Sequence, residues 1–286
     1  MPLTNKHVGT STPPLSREVN RRWTMAYASG LDDHNPLYLD SEATERPFAH
    51  PVFPVCLEWP VLSAPQDRSV EPAMEQWEIL RGVHASHDLQ LHSPLRAGTS
   101  YTTSSRVTSV KRIRAGAAQM TRLETLDDVG RPVCTTWQMS IYRGVEVEGN
   151  DAEEAEPPAW PEFERTTGSL ARRPIAISQG AGNVYTECAQ IFNPIHSDRA
   201  IALAAGLPCP ILHGTATLAH AITTVVDECL GGRADRVRRL GGKFSAMVPM
   251  PSRIEVTIDA LTDEGAAFTV LNEDGADAIR GGFVCW

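Results

Sequence analysis

Long apolar runs are missing from this chain. No window approaches the roughly eighteen uninterrupted apolar residues that a membrane span needs, so no bilayer partner is expected. A basic excess is missing as well: 26 Lys and Arg stand against 35 Asp and Glu, a formal charge of −9. That balance excludes a general nucleic-acid binder, which would present a basic face. Cysteine is sparse, and Cys56, Cys134, Cys188, Cys209, Cys229 and Cys285 are scattered without metal-site or redox spacing. They read as small buried hydrophobes in a reducing, cytoplasmic compartment. Neither a dinucleotide-fingerprint glycine loop nor a P-loop is present, so no cofactor is expected. The first fifteen residues carry Lys6 but no apolar h-region; no secretory signal is expected, and they read as a disordered lead-in.

The negative charge that is present is concentrated. Residues 144–168 hold Glu146, Glu148, Asp151, Glu153, Glu154, Glu156, Glu162 and Glu164 against Arg165 alone, together with Pro157, Pro158 and Pro161. Such a stretch cannot run as a helix interior and has little to bury, so it reads as an exposed linker. It divides the 286 residues into an N-terminal domain, 1–143, and a C-terminal domain, 169–286, each long enough for its own core. A local basic cluster, Arg233, Arg236, Arg238, Arg239 and Lys243, fits either a solvated strand edge or an anion-binding rim.

The two halves follow one plan. In the first, residues 17–29 form a plausible helix, followed by Asp33-His34-Asn35-Pro36-Leu37-Tyr38-Leu39-Asp40 and a proline-punctuated apolar segment over 50–60. Strand-like runs follow at 87–92, 101–110, 117–126 and 134–142. In the second, a short helix over 182–190 leads into Phe192-Asn193-Pro194-Ile195-His196-Ser197-Asp198 and a small-residue helix over 199–205. After Gly214, Leu218, Ile222, Val225, Val226 and Cys229 recur at helical spacing until Gly231-Gly232. Ile254, Val256 and Ile258 then alternate with polar residues, and 268–271 and 279–286 are further strand candidates. The class is α+β, duplicated.

His196 follows a rigid Asn-Pro turn, so its ring can be aimed, and a histidine with a pKa near neutrality can move a proton. Gly214 has no side chain and opens a long helix, where its N–H can meet a developing oxyanion. Asn193 can hold the turn or bind a water. Asp198 is expected to N-cap the helix after it, and Asp40 to do the same in the other half. His213 reads as a buried hydrogen-bonding residue. His84 and His87 lie near a strand without an acid or thiol at ligand spacing, so no metal is expected.

The string Asn193-Pro194-Ile195-His196-x-Asp198, with Pro210-Ile211-Leu212-His213-Gly214 downstream, resembles the MaoC-like hydratase/dehydratase family, whose members include the R-specific enoyl-CoA hydratases. The resemblance implies a double hot-dog: two antiparallel sheets, each wrapping a central helix, with residues 214–230 as the second helix. It implies a lyase that adds or removes water across the 2,3 double bond of an acyl thioester carried by CoA or an acyl-carrier protein, the N-terminal half chiefly shaping the acyl pocket. A homo-oligomer is compatible with it. Family members carry Asp-x-Asn-Pro-x-His, with aspartate and histidine gripping one water. Here the motif is split: Ile191 stands where the second half should have its aspartate, and Tyr38 where the first half should have its histidine. Val52-Phe53-Pro54-Val55 stands near the place of Leu212-His213-Gly214-Thr215. Three arrangements are therefore open: Asp33 reaches across to His196, Glu187 turns inward from the preceding helix, or no carboxylate takes part. A non-catalytic acyl-thioester binder or partner subunit, and a hot-dog thioesterase, are the alternatives to a hydratase.

Overall fold

The computed structural model describes residues 3–42, 46–63, 82–164 and 169–286. The N-terminal half contains β1 (Leu3–Thr4), β2 (Leu15–Val19), α1 (Arg21–Gly30), α2 (Pro36–Leu39), α3 (Pro54–Leu62), β3 (Gly82–Leu91), β4 (Thr99–Ile113), β5 (Gly116–Leu126) and β6 (Pro132–Arg143). Short strands β7 (Val147–Glu148) and β8 (Ala152–Glu153) lead to β9 (Ala171–Ile177), α4 (Ala181–Ala189), α5 (Arg199–Ala204), α6 (Gly214–Leu230), β10 (Arg239–Phe244), β11 (Ser252–Leu261), β12 (Gly265–Leu271) and β13 (Asp277–Cys285).

The duplication is written in the strand order. One sheet runs β2-β4-β5-β6-β3-β10-β13-β12-β11-β9. Counted from each outer edge, both halves place their five main strands as first, third, fourth, fifth, second. The two second strands, β3 and β10, pair antiparallel from Gln90↔Arg239 to Ser86↔Lys243. The expected two sheets are thus joined edge to edge, which leaves no open edge at the centre of the molecule.

α6 is the central helix of the second half because its apolar side chains cover most of its circumference. Leu218, Ala219, Ile222, Val225, Val226 and Leu230 are buried, and the helix packs on β10, β11, β12 and β13. Each large aliphatic side chain so buried contributes about 1.5–3 kcal/mol. Gly231, at φ 58°, ends the helix in the left-handed conformation that glycine adopts without a Cβ clash. In the first half α3 lies on β4, and the segment 64–81 that follows is outside the described residues.

Four expectations need correction. The helix read over 17–29 begins only at Arg21: residues 15–19 pair with β4, and the Asn20 side chain accepts from the Trp23 N–H at 2.9 Å, which fixes the start. The N-terminal lead-in is ordered from Leu3, because Leu3 and Thr4 pair parallel with Val147 and Glu148. The acidic stretch keeps its acids at the surface but buries Val145 and Val147 beside Leu3, Val110, Ala117 and Tyr142; its residues 165–168 are outside the described residues. Asp40 ends α2 and accepts from the Glu42 N–H, whereas Asp198 does cap α5 through Ala200 and Ile201.

Of the basic cluster, Arg233, Arg236, Arg238 and Lys243 are exposed, whereas Arg239 is drawn into the seam. Arg239 lies on β10 at the seam and makes a two-pronged pair with buried Asp88 of β3, at 2.9 and 2.7 Å. It also donates to the Ala159 carbonyl of the acidic segment at 3.0 Å, while Arg233 pairs with Asp235. Asp88→Ala leaves the Arg239 guanidinium short of its partner at a mostly buried site. A loss of about 3 kcal/mol is expected, read by urea denaturation; a change within error would remove the pair from the stability of the seam.

Candidate functional site

The site grows from the turn that Asn193-Pro194 imposes. Asn193 is the N-cap of a 3-10 turn over Pro194–His196, which lifts His196 off the end of α4 and turns its ring toward the start of α6. The ring is anchored from the other side: Nδ1 donates to the Ile211 carbonyl at 2.8 Å. A carbonyl can only accept, so the proton sits on Nδ1 and the Nε2 lone pair is free. His196 stacks on His213, with centroids 3.7 Å apart and planes at 29°. Burial pushes the His196 imidazole down to about 4, against the Ile211 hydrogen bond that favours the charged form. Burial, and His196 beside it, hold His213 well below the ordinary value. Both rings are therefore neutral at physiological pH.

His213 immediately precedes α6, whose first turn has no side-chain cap. The leading N–H groups of such a turn have no intrahelical acceptor and point outward with the positive end of the helix dipole. Gly214 is in close quarters: a Cβ there would lie 3.1 Å from the Phe244 ring. The Tyr185 hydroxyl donates to Thr215 Oγ1 at 3.1 Å, and Thr186 Oγ1 lies 3.3 Å from His213 Nε2. One lone-pair base and one helix N-terminus thus share a polar wall supplied by α4.

The N-terminal motif is organised differently. Asp33 is buried; its Oδ1 accepts from the Asn35 N–H at 3.0 Å and its Oδ2 from the Thr223 hydroxyl at 2.7 Å. Asn35 Nδ2 donates to the Gly232 carbonyl at 2.7 Å. Asp33 therefore holds α6 of the other half, and Asn35 holds the turn just after its end. His50 takes the Val52 N–H on Nδ1, so its Nε2 carries the proton; it faces Thr223 Oγ1 at 3.2 Å and Asp33 Oδ2 at 3.7 Å. Burial pushes His50 down to about 4, with Asp33 opposing.

Six rings join the two motifs. Tyr38, His50, Tyr27, Tyr185, His213 and His196 follow one another with centroid separations of 5.6, 5.7, 5.7, 4.9 and 3.7 Å. Tyr27 and Tyr185 each stand eight residues before the asparagine of their Asn-Pro, and their hydroxyls meet at 3.2 Å. Tyr38 and His196 are likewise equivalent, each three residues after that asparagine. His50 consequently occupies the place of His213. Sequence reading missed it because its half reaches the central helix through three further residues, Pro51-Val52-Phe53; the histidine before a proline-punctuated apolar run was the available signal.

The candidate residues therefore separate. The fold brings together His196, Asn193 and Gly214. Asp33 lies in the His50 cluster, and its hydrogen bonds go to Asn35 and Thr223. Glu187 is exposed on α4. Gly182, not foreseen, supports the loop: a Cβ there would fall 2.2 Å from the His196 carbonyl oxygen. Gly182→Ala is expected to cost about 1–3 kcal/mol and to shift the His196 imidazole resonances; a variant as stable as the parent, with unmoved resonances, would refute this steric role.

Residues 164–273 match the model of the MaoC-like domain, and residues 6–136 that of the FAS1-like dehydratase domain region. Among curated relatives, the chain is 30% identical to 3-hydroxyacyl-thioester dehydratase Y of Mycobacterium tuberculosis over 204 residues, 68% of each chain. It is 28% identical to an enoyl-CoA hydratase of the same organism over 248 residues, 84% of this chain and 83% of that one. Among solved structures, a MaoC-like dehydratase from Phytophthora capsici superposes with a TM-score of 0.81 at 21% identity, covering 98% of this chain and 96% of that one. A conserved Mycobacterium tuberculosis protein described as having a double hot-dog fold superposes at 0.64 with 15% identity, covering 97% and 95%. The chain belongs to the MaoC-like hydratase/dehydratase family and has its double hot-dog fold.

Proposed function

We propose that the C-terminal half adds water to a 2-enoyl thioester, giving the (R)-3-hydroxyacyl thioester, or runs the same step in reverse. The observation that carries this reading is the Nδ1–H bond of His196 to Ile211, which leaves Nε2 as a lone-pair base beside the α6 N-terminus. Nε2 takes a proton from water as the water oxygen bonds to C3. The C2=C3 π pair shifts to C1–C2 and the carbonyl π pair onto its oxygen, where the Gly214 N–H holds the enolate. The imidazolium then returns its proton to C2. A pKa near 4 makes His196 a modest base but a strong conjugate acid, which favours the return step.

The N-terminal half is unsuited to the same chemistry. Tyr38 replaces the proton shuttle, and burial pushes its phenol well above the ordinary value. α3 has Pro54 in its first turn, so a donor equivalent to Gly214 N–H is missing there. This half is assigned the acyl pocket and the clamp on α6. His196 is assigned the shuttle without a carboxylate, since Asp33 is engaged at Thr223 and Glu187 faces solvent.

His196→Gln is expected to lower hydration of crotonyl-CoA by about 10²–10⁴-fold with folding unchanged, followed by loss of enoyl-thioester absorbance. Asp33→Asn and Glu187→Gln are expected to change turnover much less; a drop as large as that of His196→Gln in either, at unchanged thermal midpoint, would name a carboxylate partner. Ile191 in place of the motif aspartate favours a non-catalytic acyl-thioester binder as the second reading, which predicts binding without turnover in the parent. Release of free thiol would instead identify a thioesterase.

The pH profile follows with its sign. Only neutral His196 accepts a proton, so kcat/KM falls as pH drops through its folded value, displaced from the ordinary 6.5 to about 4. Activity is expected to hold from neutrality down to about pH 5. An acid limb centred near 6.5 would place the base elsewhere.

A further inference from the structure

Phe244 touches both the candidate oxyanion donor and a pair of imidazoles, half-buried His84 and buried His87. Phe244 ends β10 at the seam, with its ring 3.1 Å from where a Gly214 Cβ would be. The same ring meets His84 of β3 edge-on, with centroids 4.7 Å apart, and His84 meets His87 in the same manner at 5.3 Å. His87 is fully buried. His84 Nε2 and both ring nitrogens of His87 are buried without a hydrogen-bond partner among the described residues. Buried polar groups are satisfied in the great majority of cases, so three orphan ring nitrogens in one place call for an occupant.

We propose that His84 and His87 form a subsite for a hydroxyl group carried by the acyl chain of the thioester, beyond C3. The proposal rests on the hydration reading for the position of the thioester: with the carbonyl at Gly214 N–H, the Phe244 ring that borders Gly214 also borders His84, and His84 borders His87. The hydrogen-bond inventory selects the group. The Ser86 backbone binds His84 and favours its charged form, as a carbonyl accepting from Nδ1–H does, so the orphan Nε2 is an acceptor. Burial pushes His84 down to about 4 and His87 well below the ordinary value, so both are neutral. Neutral His87 offers one N–H and one lone pair. One hydroxyl meets two of the three orphan nitrogens, donating to His84 Nε2 and accepting from the His87 N–H. A ketone or carboxylate only accepts and leaves His84 unmet; an ammonium only donates and leaves the His87 N–H unmet.

The test uses the full chain and medium-chain saturated acyl-CoAs, plain or with one hydroxyl at successive positions beyond C4. Binding is measured by calorimetry, and turnover with the matching 2-enoyl-CoAs. One hydroxyl position is expected to bind about tenfold or more tighter than the plain chain. The preference is expected to vanish in His84→Leu and His87→Leu, with plain-chain binding retained. Equal affinity for plain and hydroxylated chains in the parent, or a preference unchanged in both variants, overturns the subsite and leaves the pair as holders of a buried water. If a variant fails to fold, the parent's preference across hydroxyl positions decides by itself. Binding preference without turnover would overturn hydration while upholding the subsite; turnover without preference would do the reverse.

Discussion

The backbone ladder between β3 and β10 is the interaction on which the rest of the molecule depends. It fuses two five-stranded units into one sheet, so the central helix of the second half also meets loops of the first. A charge pair lies across the ladder. Asp88 and Arg239 are close partners across it, and Arg239 also reaches the backbone of the acidic segment. Trp160 of that segment lies edge-on to Phe283 and under Lys243. The connecting segment is therefore fastened over the seam it spans in sequence.

The two halves share one fold, and each Asn-Pro motif is held by different partners. In the first half, aspartate and asparagine are fasteners: Asp33 takes the Thr223 hydroxyl and Asn35 donates to Gly232, both toward α6. A buried carboxylate needs such donors, because desolvation without them is costly. In the second half the asparagine stays with its own turn, and the histidine has its ring set by Ile211. The contact of Tyr27 with Tyr185 is the meeting point of the two arrangements.

Burial is the common physical cause behind the imidazole chemistry. His50, His84, His196 and His220 are each pushed down to about 4 chiefly by desolvation, and the same burial holds His87 and His213 well below the ordinary value. Neutral imidazoles each carry one donor and one acceptor, so their hydrogen-bond partners, and not their charge, define what each can do. The tautomers of His50 and His196 are opposite for this reason: one accepts a backbone N–H on Nδ1, the other donates from Nδ1 to a carbonyl. Only the second leaves Nε2 as an acceptor.

Local signals in the sequence determined much of this. The Asn-Pro turns, the Asp198 cap, the apolar periodicity of 214–230 and the alternating strands all act over a few residues, where propensity and spacing suffice. They were enough for the α+β class and the double hot-dog duplication, and they mark the turn that carries His196 and the glycine that opens α6. What only tertiary structure decided lies between segments far apart in the chain. The pairing of β3 with β10 joins Ser86 to Lys243, and no local pattern encodes that register. The placement of His50 opposite Tyr27 depends on a chain detour of different length in each half, which hides its equivalence to His213. The split of Asp33 from His196 follows from the same cause, since the carboxylate is captured by a hydroxyl 190 positions away on α6. Sequence names the groups that can move a proton; packing across the seam selects which of them share a site.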